Sequence, residues 1–303
     1  MPARLLAVHA HPDDESLSMA GTLATVARAG AEVVLVTATL GEEGEVIGDE
    51  EMQGLVAARA DQLGGYRLTE LRAACAALGV RERAMLGGLG AFRDSGMAGT
   101  PSAEHPRAFI HAQRGGPAHD RAVAALVEVI DRVRPHVVLT YDADGGYGHP
   151  DHIAVHQVVM GALTVAGWAV PRVLGVVRPE WVTRAAFAGL PVPAGYLAAP
   201  PDEPGFLAGF LAPDDVVAVA VPTAPVDAAR RAAFAAHATQ VELLAGDLWA
   251  LSNRIAQPLP AAEYFRLLAG RPVPRAADGT PGADVFAGLD PDREPEPEPE
   301  PEL

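Results

Sequence analysis

Residues 5–15 have the sequence LLAVHAHPDDE, in which four apolar residues lead directly into a polar cluster. A short, uniformly apolar run is typical of a strand that is buried on both faces of a parallel sheet. The cluster that follows holds two histidines and three acids. Crowding these groups at a strand end costs desolvation and like-charge repulsion, unless a cation or a reaction uses them. The stretch therefore predicts an α/β fold with a functional site at the C-terminal edge of its first strand.

Strand and helix patterns alternate along the first half of the chain. Strands are predicted at residues 5–8, 33–38, about 83–86 and 136–140, and helices at residues 17–29, 69–78, 121–133 and about 153–166. This alternation predicts a Rossmann-like, mostly parallel sheet with flanking helices. The loops after parallel strands converge on one crevice, so polar clusters from different strands are expected to meet there.

The chain is expected to divide into three segments. Residues 1–170 are predicted to form the Rossmann-like, metal-binding core, and residues 171–270 a smaller C-terminal α/β subdomain that completes the cleft. Within this subdomain, residues 225–251 are predicted to be mostly helical. From residue 271 onward proline, glycine and acids dominate and end in repeated Glu-Pro. That composition predicts an extended, disordered tail without a core of its own.

The composition limits the function classes. The 303 residues carry a formal net charge of −16, which argues against nucleic acid as a partner. All 23 basic residues are arginine, so a Schiff-base mechanism and a lysine-dependent phosphate loop are excluded. The sequence has no apolar run of membrane-spanning length and no signal-peptide pattern, so we expect a cytoplasmic protein. The composition is compatible with either a monomer or a homo-oligomer.

The single cysteine, Cys75, lies in an alanine-rich stretch with a helical pattern. One cysteine cannot form a disulfide within the chain. Since free cysteine is commonly buried as a small apolar residue, Cys75 is expected to be a packing residue of the core.

A second polar cluster follows the predicted strand at 136–140 and ends in HPDH at residues 149–152. His11 and Asp14 are nitrogen and carboxylate donors three positions apart, and His152 supplies a third ligand. Two histidines and one carboxylate with an open position form a familiar catalytic zinc set, and Fe²⁺ accepts the same arrangement. The structural alternative is that both histidines cap helices or pack at ordinary strand ends.

These two motifs resemble those of the zinc-dependent N-acetylglucosaminyl deacetylases, the LmbE-like family related to phosphatidylinositol-glycan deacetylase. Further segments are similar to the mycothiol-biosynthesis branch of this family, namely residues 39–49, 60–67, 93–100 and 145–149. The resemblance covers about residues 4–260. It implies hydrolysis of the acetamide of N-acetylglucosaminyl-inositol to glucosaminyl-inositol and acetate.

Carried over to the matching positions, the resemblance makes His11, Asp14 and His152 the zinc ligands and Asp13 the general base. A carboxylate in that position can take the proton of the attacking water and return it to the leaving amine. His9 and Glu15 lie outside the matched positions and are expected to support the site or the fold.

The tetrahedral intermediate carries an oxyanion that needs a second donor beside the metal. His149 as an imidazolium, or Tyr147 through its hydroxyl, is expected to be that donor, and both lie in a glycine-rich loop. Asp151 is expected to orient His149 or a zinc-bound histidine rather than to bind the metal itself.

Four residues of the two long loops are candidates for substrate binding. Arg67, Asp94 and Glu45 offer donors and acceptors for sugar and inositol hydroxyls, and Met97 offers an apolar wall for a sugar face. The rival interpretation is a structural Arg–Asp pair between loops, with Met97 in loop packing. His237 lies in a segment similar to one that closes over the cleft in the family, but a satisfied helical histidine is the simpler interpretation.

Other functions stay open beside this deacetylase. A different N-acetylglucosamine deacetylase would use the same residues. The related mycothiol S-conjugate amidase shares the metal site, although the resemblance implies a lysine soon after HPDDE where this chain has SLSM at residues 16–19. A Rossmann-like binding module without catalysis is the third hypothesis. Its best candidate for a GxGxxG motif, GGLGAFR at residues 87–93, lacks the third glycine. This hypothesis also leaves the metal clusters unexplained.

Overall fold

The computed structural model describes residues 1–198 and 211–292. The strands are β1 Arg4–His9, β2 Glu32–Thr37, β3 Glu82–Met85, β4 Val137–Tyr141, β5 Arg172–Pro179, β6 Leu197–Ala198, β7 Leu211–Ala212, β8 Val219–Pro222, β9 Glu242–Leu244, β10 Leu248–Ala250, β11 Ile255–Pro258 and β12 Ala262–Gly270. The helices are α1 Asp14–Arg28, α2 Glu50–Gln53, α3 Leu63–Leu78, α4 Pro117–Val133, α5 Pro150–Leu163, α6 Glu180–Phe187 and α7 Asp227–Ala236.

The main sheet has the strand order β3-β2-β1-β4-β5-β12-β8, and β7 also pairs with β5. Pairing is parallel from β3 to β5, while β12 runs antiparallel to both β5 and β8. The expected α/β architecture with a mostly parallel sheet is thus confirmed. Because β1 lies beside β4, with Leu6 opposite Val138, the two polar clusters emerge at neighbouring strand ends.

Alternate residues of β1 face two separate apolar layers. Leu5 packs with residues of α1, α3 and α7, including Leu71 and Phe234. Leu6 points to the other face and packs with residues of α4 and α5, including Leu126. Both leucines are fully buried, and burying such a side chain stabilises the fold by about 1.5–3 kcal/mol. Burial on both faces is why β1 has no polar alternation.

The C-terminal half differs from the sequence prediction. Residues 225–251 are not mostly helical, because α7 ends at Ala236 and β9 and β10 follow as an antiparallel hairpin. The turn of this hairpin contains Gly246 and Asp247, both with positive φ. These strands belong to a second sheet of order β6-β11-β10-β9. Alanine content favoured helix, but the turn and the burial of Trp249 against Phe234 decide the local structure.

The segment boundaries also differ in the structure. The expected boundary at residue 170 falls within one continuous sheet, since β5, β8 and β12 extend the sheet of the first half. Packed chain continues past residue 271, because Val273 and Val285 are buried and the guanidinium of Arg172 donates to four backbone carbonyls of residues 271–287. Only residues 293–303 of the expected tail lie outside the described part.

Two further expectations concern the helices. Cys75 lies buried in α3 within the core, as predicted for a packing residue. Within residues 1–198 and 211–292, no helix has both the length and the apolar character needed to cross a membrane.

Candidate metal centre

The two polar clusters meet at the C-terminal ends of β1 and β4. Helix α1 begins at Asp14, immediately after the loop that carries His11, and α5 begins at Pro150, so that His152 lies in its first turn. All three predicted ligands are buried, with at most 8% of each residue exposed. Parallel pairing of β1 and β4 therefore brings together residues that are about 140 positions apart in the sequence.

Asp14 lies between the two histidines. Its Oδ2 is 3.4 Å from Nδ1 of His11, and its Oδ1 is 3.3 Å from Nε2 of His152. The ring centroids of His11 and His152 are 5.3 Å apart. The three side chains thus face one small volume, as a shared metal ion requires.

Hydrogen bonds on the far side of each ring decide which nitrogens face this volume. Nε2 of His11 lies 3.2 Å from a carboxylate oxygen of Asp151, and Nδ1 of His152 lies 3.1 Å from the carbonyl oxygen of Gly145. Both ring nitrogens must donate in these contacts, because their partners are acceptors. The lone pairs of His11 Nδ1 and His152 Nε2 are therefore left facing Asp14.

This arrangement fits a cation. In the described part of the chain, the buried Nε2 of His152 has no hydrogen-bond partner. When both rings are neutral, two nitrogen lone pairs are directed toward one carboxylate and repel it, and a metal ion placed among them would relieve that repulsion. A carboxylate behind a ligating histidine is also the usual support of a metal site, and Asp151 provides it for His11.

The electrostatics agree with that arrangement. Burial lowers the pKa of His11, but the carboxylates of Asp94, Asp14 and Asp151 outweigh it and raise that pKa well above its ordinary value. Burial raises the pKa of Asp14, while His152 and His11 lower it to well below its ordinary value. The site therefore favours positive charge at its centre.

Two overlapping groups of side chains here could hold a metal ion. One consists of His11, His149 and His152, and the other of His11, Asp94 and Asp151. In each group the potential ligand atoms lie within 4.8 Å of one another. His11 is common to both groups, whereas the predicted ligand Asp14 belongs to neither.

Asp13 is the N-cap residue of α1 and has a left-handed backbone conformation, with φ 98° and ψ −29°. Its Oδ2 lies 3.1 Å from Nη2 of Arg67. Burial raises the pKa of Asp13 to about 6, although Arg67 acts to lower it. The carboxylate is thus held beside the ligands and has a proton affinity suited to proton transfer near neutral pH.

His149 and Tyr147 lie beside the predicted ligands, and the ring centroid of His149 is 4.7 Å from that of His11 and 4.9 Å from that of His152. Nδ1 of His149 accepts the backbone N–H of Asp151 at 3.2 Å, which leaves the proton of the neutral ring on Nε2. Burial and the neighbouring His11 and His152 lower the pKa of His149 to about 3. This favours the neutral imidazole over the imidazolium of the sequence interpretation.

The ring of Tyr147 lies edge-on to His152, at a centroid distance of 5.0 Å. Although 39% of the residue is exposed, desolvation of the hydroxyl raises the pKa of Tyr147, and the carboxylate of Asp14 raises it further. The phenol therefore keeps its proton at neutral pH and can donate it in a hydrogen bond.

The four candidate substrate residues lie at two depths. Arg67 is buried and donates to the carbonyl oxygens of Gly41 and Pro12 in addition to its contact with Asp13. Its partner is therefore not Asp94, in contrast to the rival interpretation of an Arg–Asp pair between loops.

Asp94 is also buried, and its Oδ1 lies 3.5 Å from Nε2 of His11. Glu45 and Met97 are exposed, and Glu45 accepts a hydrogen bond from the hydroxyl of Ser252 at 2.7 Å. Glu45 and Met97 are thus accessible from solvent, while Asp94 is buried beside His11.

Several contacts at the site were not anticipated from the sequence. The ring of Tyr141 stacks on His152 at 4.1 Å and fixes its plane, and the backbone N–H of Ser95 donates to Asp151. His237 is buried, and its Nε2 lies 2.6 Å from Oε1 of Glu15. Its buried Nδ1 has no hydrogen-bond partner among the described residues, and His237 follows the last residue of α7, so the simpler interpretation of a satisfied helical histidine holds only for Nε2.

His9, the remaining histidine of the first cluster, is fully buried and its ring lies edge-on to Tyr141 at 5.6 Å. Burial lowers the pKa of His9 to about 4, so the ring is neutral. His9 therefore lies behind the site as part of the packing under it.

Comparison with known proteins gives a consistent result. The sequence pattern of the GlcNAc-PI de-N-acetylase (PIG-L) family matches residues 6–163. A protein of Nakamurella multipartita named 1D-myo-inositol 2-acetamido-2-deoxy-alpha-D-glucopyranoside deacetylase is 77% identical over 97% of this chain and 98% of its own length. A protein of the same name from Nocardia farcinica is 49% identical over 94% of this chain and 96% of its own length.

Two solved structures show the same fold. A deacetylase triple mutant of the teicoplanin biosynthetic pathway has a TM-score of 0.52 at 21% identity and covers 88% of this chain and 97% of its own. GalB, the 4-carboxy-2-hydroxymuconate hydratase from Pseudomonas putida KT2440, has a TM-score of 0.55 at 18% identity. The match covers 91% of this chain and 100% of the GalB chain. At such identities the likeness is one of fold alone, since related folds host different reactions.

Proposed function

The chain belongs to the GlcNAc-PI de-N-acetylase (PIG-L) family, and we propose that it hydrolyses the acetamide of 1D-myo-inositol 2-acetamido-2-deoxy-alpha-D-glucopyranoside. The products are acetate and the free amine of the sugar, an intermediate of mycothiol biosynthesis. The observation that carries this proposal is the near full-length match to a relative named for this reaction, together with a buried cluster that fits a metal ion.

We propose that His11, Asp14 and His152 hold Zn²⁺, and Fe²⁺ would suit the same ligands. The support is the pair of lone pairs that face Asp14, at 3.4 Å from His11 and 3.3 Å from His152. When bound, the metal ion supplies Lewis acidity that polarises the acetamide carbonyl and makes water a stronger nucleophile.

Asp13 acts as the general base in this proposal. Its carboxylate takes a proton from the water that attacks the carbonyl carbon, and it returns this proton to the sugar nitrogen as the C–N bond breaks. Arg67 supports this role, because its guanidinium lies 3.1 Å from the carboxylate and keeps it in place.

Neutral donors stabilise the oxyanion of the tetrahedral intermediate. The N–H at Nε2 of His149 and the hydroxyl of Tyr147 are the two candidates, and neither donor has to change its charge at neutral pH. Preorganised donors of this kind are worth more in a buried site than in water.

Substrate hydroxyls are recognised from the outer side of the site. Glu45 and Met97 are exposed, so a sugar or an inositol ring can reach them. Asp94 lies deeper and offers carboxylate oxygens next to His11. Arg67 is engaged by Asp13 and by two carbonyl groups, so a contact with substrate requires it to release one of them.

Metal content and amine release test this function together. The protein is stripped with a chelator, reloaded with Zn²⁺ or Fe²⁺, and assayed on the acetylated sugar-inositol and, side by side, on a bimane conjugate of mycothiol. We expect metal-dependent amine release and a higher rate on the acetylated sugar. Metal-loaded protein that releases no amine from that sugar would overturn the proposal, and a preference for the conjugate would make the chain an amidase.

A further inference from the structure

The general base occupies an unfavourable backbone conformation. Asp13 has φ 98°, in the left-handed region that residues with a Cβ rarely adopt. It lies between His11 and Asp14, so any relaxation of its backbone would move the base relative to both. Strained residues persist only where their surroundings hold them.

Glu15 provides that hold on the backbone. Its Oε2 accepts the N–H of Asp13 at 3.1 Å, while its Oε1 accepts the hydroxyl of Ser16 at 2.6 Å. The carboxylate is fully buried, so it needs compensating donors to remain charged.

His237 supplies the remaining donor from a distant part of the chain. Its Nε2 lies 2.6 Å from Oε1 of Glu15, at a separation of 222 residues. His237 is fully buried and follows the last residue of α7. Its carbonyl oxygen accepts the backbone N–H groups of Gln240 and Val241, which fixes the turn that carries the ring.

The neighbourhood of His237 is anchored independently. Thr239 donates through its backbone N–H and its hydroxyl to the buried carboxylate of Glu70 in α3, with both distances 2.8 Å. Its carbonyl oxygen accepts the N–H of Ile47 from the loop after β2. The backbone that carries the ring of His237 is therefore held in place by contacts that do not involve Asp13.

We propose that Glu15 and His237 form a positioning pair that keeps Asp13 in its left-handed conformation and so aims the base. This inference rests on the proposed function, since it gives Asp13 the role described above. The pair acts on the N–H of the peptide between Pro12 and Asp13, whereas Arg67 donates to the carbonyl oxygen of that peptide and contacts the carboxylate of Asp13. The C-terminal half of the chain thus sets the geometry of the N-terminal motif.

A matched control distinguishes this role from general stabilisation. Glu263 is a second buried carboxylate that accepts backbone N–H groups of α1, at Gly21 and Thr22, and it does not contact Asp13. Variants H237F, H237Q and E263Q are compared in kcat, KM, bound metal and melting temperature. H237F is expected to lose about 10- to 100-fold in kcat with KM and metal content unchanged. H237Q is expected to keep most activity, because its amide N–H can still donate to Glu15, and E263Q is expected to keep kcat whatever it loses in stability.

Two further measurements make the test decisive. In a D13A background the H237F substitution should cause no additional loss of kcat, because the pair acts only through Asp13. A crystal structure of H237F should show Asp13 outside the left-handed region, and this readout does not depend on activity. Three results would each overturn the inference. They are a wild-type kcat in H237F, losses of kcat that add fully in the D13A/H237F double variant, and an unchanged φ at Asp13 in the H237F structure. Failure of the proposed function is distinguishable, because wild-type protein would then release no amine while the backbone of Asp13 still responded to H237F.

Discussion

Arg67 and Asp13 form a buried ion pair, with Nη2 of the arginine 3.1 Å from Oδ2 of the aspartate. Burial raises the pKa of the carboxyl to about 6, and the guanidinium opposes that rise. The arginine therefore helps to set the pH at which the proposed base becomes active, in addition to holding its carboxylate.

The substitution R67Q is expected to shift the acidic limb of activity. Without the guanidinium the pKa of Asp13 rises, so the base is protonated at higher pH and kcat/KM falls earlier as pH decreases. A pH profile of kcat/KM for both proteins checks this. Arg93 pairs with Glu43 and Asp61 in the neighbouring loops, so R93Q is the matched control and should leave the acidic limb in place. An identical limb in R67Q and wild type would contradict the prediction.

The substitution D13A should separate metal binding from turnover. The proposed ligands His11, Asp14 and His152 are untouched, so metal content should equal that of wild type. Loss of a general base lowers kcat by about 10²- to 10⁴-fold. Elemental analysis gives the metal content, and an amine-release assay on the same preparation gives kcat. Retained turnover would remove Asp13 from its proposed role.

The substitution D151N should weaken the metal site without removing a ligand. Asp151 accepts the N–H at Nε2 of His11, and an amide in its place is a poorer acceptor and carries no charge. Metal affinity is expected to fall by about 10- to 100-fold. Competition with a chelator of known affinity measures the change. Unaltered affinity would show that His11 does not depend on this carboxylate.

Two substitutions of His149 should differ in their effect. Glutamine can place an N–H near the position of Nε2, whereas alanine removes the donor, and loss of one oxyanion donor costs about 10²- to 10³-fold in kcat. H149A is therefore expected to be much slower than H149Q. Because the pKa of His149 is lowered to about 3, wild-type activity should show no limb from this ring between about pH 5 and 8. Equal rates for the two variants would argue against a donor role.

Local patterns in the sequence predict the strands and ligands near β1 and β4. The apolar run before His11 predicts a strand buried on both faces. The polar cluster that follows it directly predicts a site at the end of this strand. The alternation of strands and helices predicts that the second cluster lies at the same edge of the sheet as the first. These features are visible because each depends on short-range spacing.

Other parts of the site depend on tertiary contacts that spacing does not encode. Arg67 could be named as a candidate for hydroxyl binding, but its contact with Asp13 comes from the packing of α3 beside the loop after β1. His237 and Glu15 are 222 residues apart, and neither motif predicts the other. The helix expected over residues 225–251 fails for a similar reason, since burial of Trp249 outweighs the helical preference of the alanines.

The contacts of Arg172 have a consequence for how the C-terminal segment can vary. Among residues 1–198 and 211–292, the partners of the fully buried guanidinium are four main-chain carbonyls of this segment, those of Arg271, Pro272, Val285 and Ala287. Most side chains of residues 271–287 can therefore be exchanged while the path of the segment is kept. Insertions, deletions or truncation there would leave a buried cation without its acceptors, so natural variation in this segment should change its residues more readily than its length.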